Sequence, residues 1–117
     1  MKSSPGVWTK MKRKTLKVVY SQAAVESISD IVSYCRREFG VSVGRRVRAE
    51  FAAVRLLLAQ FHYLCPTIER GSVYRKFVTA GKNTIVYRFD PIGTEDRILI
   101  VAVFSAGMNI DYSDIID

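Results

Sequence analysis

SQAAVESISDIVSYCRREFGVSVGRRVRAEFAAVRLLLAQF, residues Ser21–Phe61, reads as two amphipathic helices folded back on each other at Gly40. In the first half Val25, Ile28, Val32, Cys35 and Phe39 recur every three or four positions, so they stack on one face of a 3.6-residue helix. Ser21 suits the N-cap, because its hydroxyl can accept from an orphan N–H of the first turn. Gly40 suits the position after the last turn, where a left-handed backbone favours glycine. The second half repeats the pattern with Val43, Val47, Phe51, Val54, Leu58 and Phe61, and Ser42 is the expected cap. A connection this short makes the helices antiparallel. Two apolar stripes side by side need a further surface to lie on.

That surface comes from the flanks. Leu16–Tyr20 is a short β-prone run ending at the helix cap. Pro66 stops the second helix from continuing, and residues 67–72 form a loop. Val73–Thr79 and Thr84–Asp90 read as strands around an Ala80-Gly81-Lys82-Asn83 turn. In the second of these strands Ile85, Tyr87 and Phe89 alternate with Val86 and Arg88. Pro91–Asp96 reads as a loop. Arg97–Phe104 (RILIVAVF) is nearly continuous apolar, as a strand near the middle of a sheet would be. The order β-α-α-β-β-β is an α+β layer, with a helical hairpin packed on a mainly antiparallel sheet.

Composition narrows the function classes. A chain of 117 residues, 49% hydrophobic and 25% charged, is one ordinary globular domain. It has no apolar run of the roughly 20 residues a membrane helix needs, and its N-terminal stretch lacks the apolar region of a secretory signal. Cys35 and Cys65 are too few for a disulfide framework and lack metal-ligand spacing. The reading is a cytoplasmic protein with reduced thiols and no cofactor. The net charge of +7 is concentrated: six of the eighteen basic residues fall within the first seventeen, leaving twelve against eleven acids elsewhere. Residues 1–15 therefore read as a flexible basic tail before a single domain over 16–117, with Met11 as a second candidate start. Residues 1–12 carry too little burial to matter for folding.

Over residues 16 to 109 the chain resembles the RelE/ParE superfamily of bacterial type II toxins. The pieces are Val19-Tyr20-Ser21, the helix through Ser27-Ile28-Ser29-Asp30-Ile31, Arg36-Arg37-Glu38-Phe39-Gly40, and Leu57-Leu58-Ala59-Gln60-Phe61. Then follow Val73-Tyr74-Arg75-Lys76-Phe77, Gly81, Ile85-Val86-Tyr87-Arg88-Phe89 and the strand Arg97–Phe104. The resemblance implies a cognate antitoxin whose flexible segment folds over the toxin. It also implies one of two targets: DNA gyrase, bound and poisoned by ParE-type members, or mRNA on the ribosome, cut by RelE-type members. RNA cleavage needs a base for the 2′-OH, a cation for the developing charge and an acid for the leaving oxygen. Where members often carry a His-Gly pair, then a basic residue and an acid, this chain has Ser105, Met108 and Asn109. Arg75 and Arg88 remain as cations, with Tyr74 or Tyr87 as hydroxyls, and no base is evident. The departures favour ParE-type gyrase poisoning over the endoribonuclease. A degenerate toxin that only binds its antitoxin is a third reading.

Each candidate has a plainer role. Arg75 and Arg88 can pair with Glu69, Asp90 or a backbone carbonyl, and Tyr74 and Tyr87 suit a half-buried sheet. His62, the single histidine, reads as a helix-end residue where the dipole favours imidazolium. For the antitoxin, Arg45, Arg46 and Arg48 are the expected charge contacts. Leu56 and Leu57, beside the Val54–Leu58 core line, are the expected apolar anchors. Ile110, Tyr112, Ile115 and Ile116 are surplus apolar residues in an acidic tail that can lie back over the sheet.

Overall fold

The computed structural model describes residues 15–92 and 95–115; the expected tail, Thr15 apart, and the last two residues lie outside the described residues. The order is β1 (Lys17–Tyr20), α1 (Gln22–Phe39), α2 (Val41–Phe61), a 3-10 turn at His62–Leu64, β2 (Tyr74–Val78), β3 (Thr84–Ile92), β4 (Glu95–Phe104) and a last 3-10 turn at Tyr112–Asp114. This is the α+β layout that the apolar spacing predicts.

Two glycines shape the helical hairpin. Gly40 has φ 103° and ψ 166°, a positive φ with an extended ψ, which is a region essentially confined to glycine. It is not the left-handed helical conformation expected from the sequence, but the requirement for glycine is at least as strict. Its N–H donates to the Arg36 carbonyl, and its own carbonyl accepts from Gly44 N–H. One residue thus ends α1 and begins α2. Ser42 is already inside α2 and caps nothing, because the helix starts at Val41 without a side-chain cap. Gly44 sets the spacing: a Cβ there would lie 2.8 Å from Arg36 Cβ. The helices touch where a side chain is missing.

The sheet order is β1-β4-β3-β2, with β1 parallel to β4 and the other pairs antiparallel. Ser21 joins the layers. Its N–H donates to the Ile100 carbonyl at 2.9 Å and its hydroxyl donates to the Val101 carbonyl at 2.8 Å. The same hydroxyl oxygen accepts from Ala24 N–H at 3.0 Å, the expected N-cap bond. Val101 is the extra residue of a bulge, since Val86 pairs with Ala102 while Tyr87 pairs with Ile100. Ile85, Val86 and Tyr87 are all buried. The expected alternation is kept, since Ile85 and Tyr87 join the core under the helices and Val86 does not, but Val86 is buried as well because both sheet faces are covered there. On the face away from the helices the Tyr112 ring meets Phe104 edge-on at 6.4 Å and lies 5.7 Å from the Lys76 ammonium. The C-terminal segment does lie back over the sheet.

Residues 91, 92, 95 and 96, read above as loop, are paired strand: Pro91 faces Asp96 and Ile92 faces Glu95. Proline is tolerated because β2 pairs only with Thr84 to Arg88, so at Pro91 the strand has an open side that needs no N–H.

The core lies between the hairpin and the sheet. From α2 come Val47, Phe51, Val54 and Leu58, on the predicted line. From α1 come Ala24, Ile31 and Val32, whereas Val25 and Phe39, expected on that line, are exposed. Val32 is buried and Ile28 and Cys35 pack against the core as predicted, so the stripe departs only at its ends, where it uses the small Ala24 as β1 turns into α1 and leaves Phe39 outside. Val18, Ile98, Ile100 and Tyr87 close the core from the sheet.

The two glycines generate a paired expectation. Gly40→Ala meets no atom but strains the backbone, whereas Gly44→Ala keeps good helical geometry but pushes the helices apart. Each should cost about 1–3 kcal/mol in urea unfolding. Enlarging Gly44 further to Val should cost more again, and equal stability of Gly44→Ala and Gly44→Val would refute the close approach.

Candidate functional site

The sequence-level candidates separate into two groups, one built into the sheet and one presented by the hairpin. In the sheet, Arg75 on β2 pairs with Tyr87 on β3, and both face the end of α2. The Arg75 guanidinium donates to the Cys65 carbonyl and the Tyr87 hydroxyl donates to the His62 carbonyl. Backbone bonds reinforce this: Lys76 N–H donates to the Pro66 carbonyl and Ile68 N–H to the Tyr74 carbonyl. Residues Pro66–Ile68 thus run along the outer edge of β2. Arg75 and Tyr87 are brought together, and what they hold is the chain leaving α2. Tyr87 is fully buried. Burial first, and the Cys65 side chain second, push its hydroxyl far above the usual tyrosine range.

Arg88 does not join them. It lies on the opposite face, over the Tyr74 ring at 5.7 Å, with its Nε donating to the Phe89 carbonyl. Ser105, Met108 and Asn109 are exposed beyond the end of β4. No group of three or more His, Cys, Asp or Glu among the described residues could hold a metal ion.

His62 departs from its expected character. It does sit at the end of α2, but its ring stacks on Phe89 with centroids 5.5 Å apart and planes at 16°. Burial first, and the Arg75 charge second, hold its pKa below the usual histidine value. These outweigh the helix dipole.

The hairpin carries the second group. Arg45 and Arg48 line a shallow groove of about 210 Å³ with Arg36, over Gly44. Leu56, 68% exposed, borders a larger groove of about 490 Å³ between the helices, walled by Tyr20, Val25, Ile28, Phe51 and Arg55. Burial pushes the Tyr20 hydroxyl up there, with Arg55 opposing. Arg46 and Leu57 fall elsewhere: they share a helical stripe with Glu50, whose carboxylate accepts from Gly81 N–H at the β2–β3 turn. Leu57 is 36% exposed on that flank. The five candidates therefore occupy two adjacent surfaces of α2. The ion pairs among the described residues are Arg37–Glu38 and Arg97–Asp90. Arg36, Arg45, Arg46, Arg48 and Arg55 face solvent without an acidic partner among those residues.

The interhelical groove at Tyr20 and Val25 was not anticipated from the sequence, because Val25 fits the core line by spacing. The anchoring of the β2–β3 turn on Glu50 has no sequence signal either, since a glycine in a turn needs no partner to explain it.

A helical hairpin on a four-stranded mixed sheet, with an arginine-rich outer surface, defines an α+β class that solved structures contain. A chain from the structure titled "Chromosomal ParDE TA system from P. aeruginosa" has this fold, with a TM-score of 0.64, 10% identity, and coverage of 79% of this chain and 97% of that one. No family model matches the sequence. No curated protein matches it either. None of the helices in the described residues is long and apolar enough to cross a membrane.

The His62 environment sets a pH dependence. Its folded pKa lies below the unfolded value near 6.5, so between the two the unfolded chain binds more protons. The stability associated with neutral His62 is intact above the unfolded value and is lost as pH falls below it. Unfolding midpoints measured at stepped pH should decline on the acid side of neutrality, and His62→Phe should flatten that decline. Tyr87→Phe, which removes one buried hydroxyl and its hydrogen bond to the His62 carbonyl, should cost about 1–2 kcal/mol.

Proposed function

We propose that this protein is the toxin of a type II toxin–antitoxin module, and that it acts in the cytoplasm by binding and poisoning DNA gyrase. The observation that carries the reading is the combination of the fold with a hairpin on which Arg36, Arg45, Arg46, Arg48 and Arg55 have no acidic partner among the described residues and Leu56 and Leu57 are exposed. The antitoxin would cover that hairpin, with Leu56 and Leu57 as apolar anchors and Arg45, Arg46 and Arg48 meeting its acids. Because the two leucines lie on adjacent surfaces, the bound segment wraps the exposed side of α2 instead of lying in one groove. The disposition of Arg75, Tyr87 and Arg88 supports binding over RNA cleavage. Arg75 and Tyr87 are engaged with the carbonyls beside the end of α2, and Arg88 lies on the other face with its Nε on the Phe89 carbonyl, so they do not converge on one phosphate.

Expression without the partner should arrest growth of a bacterial host. Filamentation with DNA-damage signalling supports gyrase as the target. Rapid loss of translation with mRNAs cut inside codons would replace it with ribosome-dependent cleavage. Normal growth at confirmed soluble expression would leave a degenerate toxin that only binds its antitoxin. Leu57→Asp should weaken antitoxin binding by about 2–4 kcal/mol, as expected for a lost buried anchor, while the protein stays folded. Arg46→Ala should cost less and act mainly on the salt dependence of association. Parental affinity in both variants would place the partner elsewhere.

A further inference from the structure

At the tip of the β2–β3 hairpin lies a buried amide whose nitrogen has no acceptor among the described residues. Asn83 is 5% exposed. Its Oδ1 accepts from Ala106 N–H at 3.0 Å. A backbone N–H can only donate, so this bond fixes which end of the amide is oxygen. The Nδ2 group points away from Ala106 and toward Gly81, lying 3.6 Å from where a Cβ on that glycine would sit. Among the described residues no acceptor bonds it. An amide N–H₂ buried without an acceptor costs about 1–3 kcal/mol, so such a group is normally answered by something.

Asn83 and Gly81 form one wall of a groove of about 590 Å³, which Tyr34 and Phe39 of α1, Val47 of α2 and Asp30 border on its other sides. That volume suits an organic ligand or a few residues of peptide. The Tyr34 and Phe39 rings stand edge-on at 6.2 Å and are largely exposed. Past Asp30 the groove continues into a second of about 320 Å³, lined by Ala23, Ser27 and Met108. The track therefore follows α1 from Ala23 to Phe39, about 24 Å at the helical rise of 1.5 Å per residue. An extended peptide of about seven residues spans that length.

The chemistry of the walls selects among occupants. A fixed donor at Asn83 and a carboxylate acceptor at Asp30, set in an apolar lining, match the C=O and N–H of a peptide backbone. A phosphate or carboxylate ligand would meet the Asp30 charge, and a cation would leave Nδ2 unanswered. We propose that this track binds an extended partner segment, with one backbone carbonyl accepting from Asn83 Nδ2 and an apolar side chain seated between Tyr34 and Val47. The inference deepens the toxin–antitoxin reading, on which it rests only for the partner's identity: the antitoxin chain would hold a second seat along α1, separate from the Leu56 and Leu57 surfaces.

The test uses the full chain, isotope-labelled, titrated with N-acetyl-leucine N-methylamide as a peptide probe and followed by NMR. The Asn83 side-chain amide and the Tyr34 ring should shift together and saturate in the millimolar range. Asn83→Asp keeps an oxygen for Ala106 N–H but removes the donor, and should weaken the probe at least tenfold. Tyr34→Ala, at an exposed position that does not threaten folding, should also weaken it. Absence of a saturating shift in the parent, or probe binding that both variants leave unchanged, would overturn the track and leave only water at Nδ2. Probe binding without growth arrest would keep the track and remove the toxin reading. Growth arrest with an antitoxin indifferent to both variants would do the reverse.

Discussion

Everything in this fold hangs from the hydroxyl and N–H of Ser21. The serine stands between a four-residue edge strand and an eighteen-residue helix, and it bonds to both and to the central strand β4. Its N–H continues the parallel ladder onto Ile100, and its Oγ closes the first turn of α1 while donating to Val101. A bulge leaves its extra residue outside the regular ladder, and here the Val101 carbonyl serves the serine. The strand irregularity and the helix cap are thus one device. It fixes where α1 starts above the sheet. From there Gly40 and Gly44 place α2 with little freedom, because one dictates the reversal and the other the distance.

The helical hairpin was legible because its signals are local. The apolar spacing of Val47, Phe51, Val54 and Leu58, the Ser21 cap and the Gly40 reversal each need only a few neighbouring residues to be read. The misreadings share a different cause. Val25 fits the core stripe by spacing and yet borders a groove, since the true stripe is set by how closely β1 delivers the chain to Ala24. Pro91 signals a loop unless it is known that β2 has already ended beside it. The alternation of Ile85 and Tyr87 with Val86 holds, but it cannot report that Val86 is buried too, because what covers the outer face is not written in β3. Of the candidate residues, Arg75 and Tyr87 were placed on strands correctly. That they turn toward the carbonyls of Cys65 and His62 depends on a segment far from them in sequence, and Asn83 hides inside an ordinary turn signal for the same reason.

The placement of charge divides the molecule by role. Arg75 and Arg97 are engaged, the first with a carbonyl and the second with Asp90 at 2.7 Å. Both bind strands or the chain beside them. Apart from Arg37, which meets Glu38, the hairpin arginines have no acidic partner among the described residues. Their mutual repulsion opposes compaction modestly in solvent and is screened by salt. A surface that tolerates this cost gains attraction for acidic partners at a distance, where field and not contact governs the approach. The sheet side uses its arginines to hold the fold, and the hairpin side leaves most of its arginines to solvent.

The parallel pairing of β1 with β4 has a consequence for synthesis. The Ser21–Val101 bond joins residues 80 apart in sequence, and β4 is the last of the four strands of this sheet to be made. On the ribosome the helical hairpin emerges complete, with Val47, Phe51 and Leu58 uncovered, long before the strand that shelters them exists. Local structure forms early and the long-range closure waits, which is the pattern that slows folding and exposes apolar surface in transit. The nascent chain therefore passes through a state with a finished hairpin and no sheet to rest on. It gains its edge strand and its center in the same closing step.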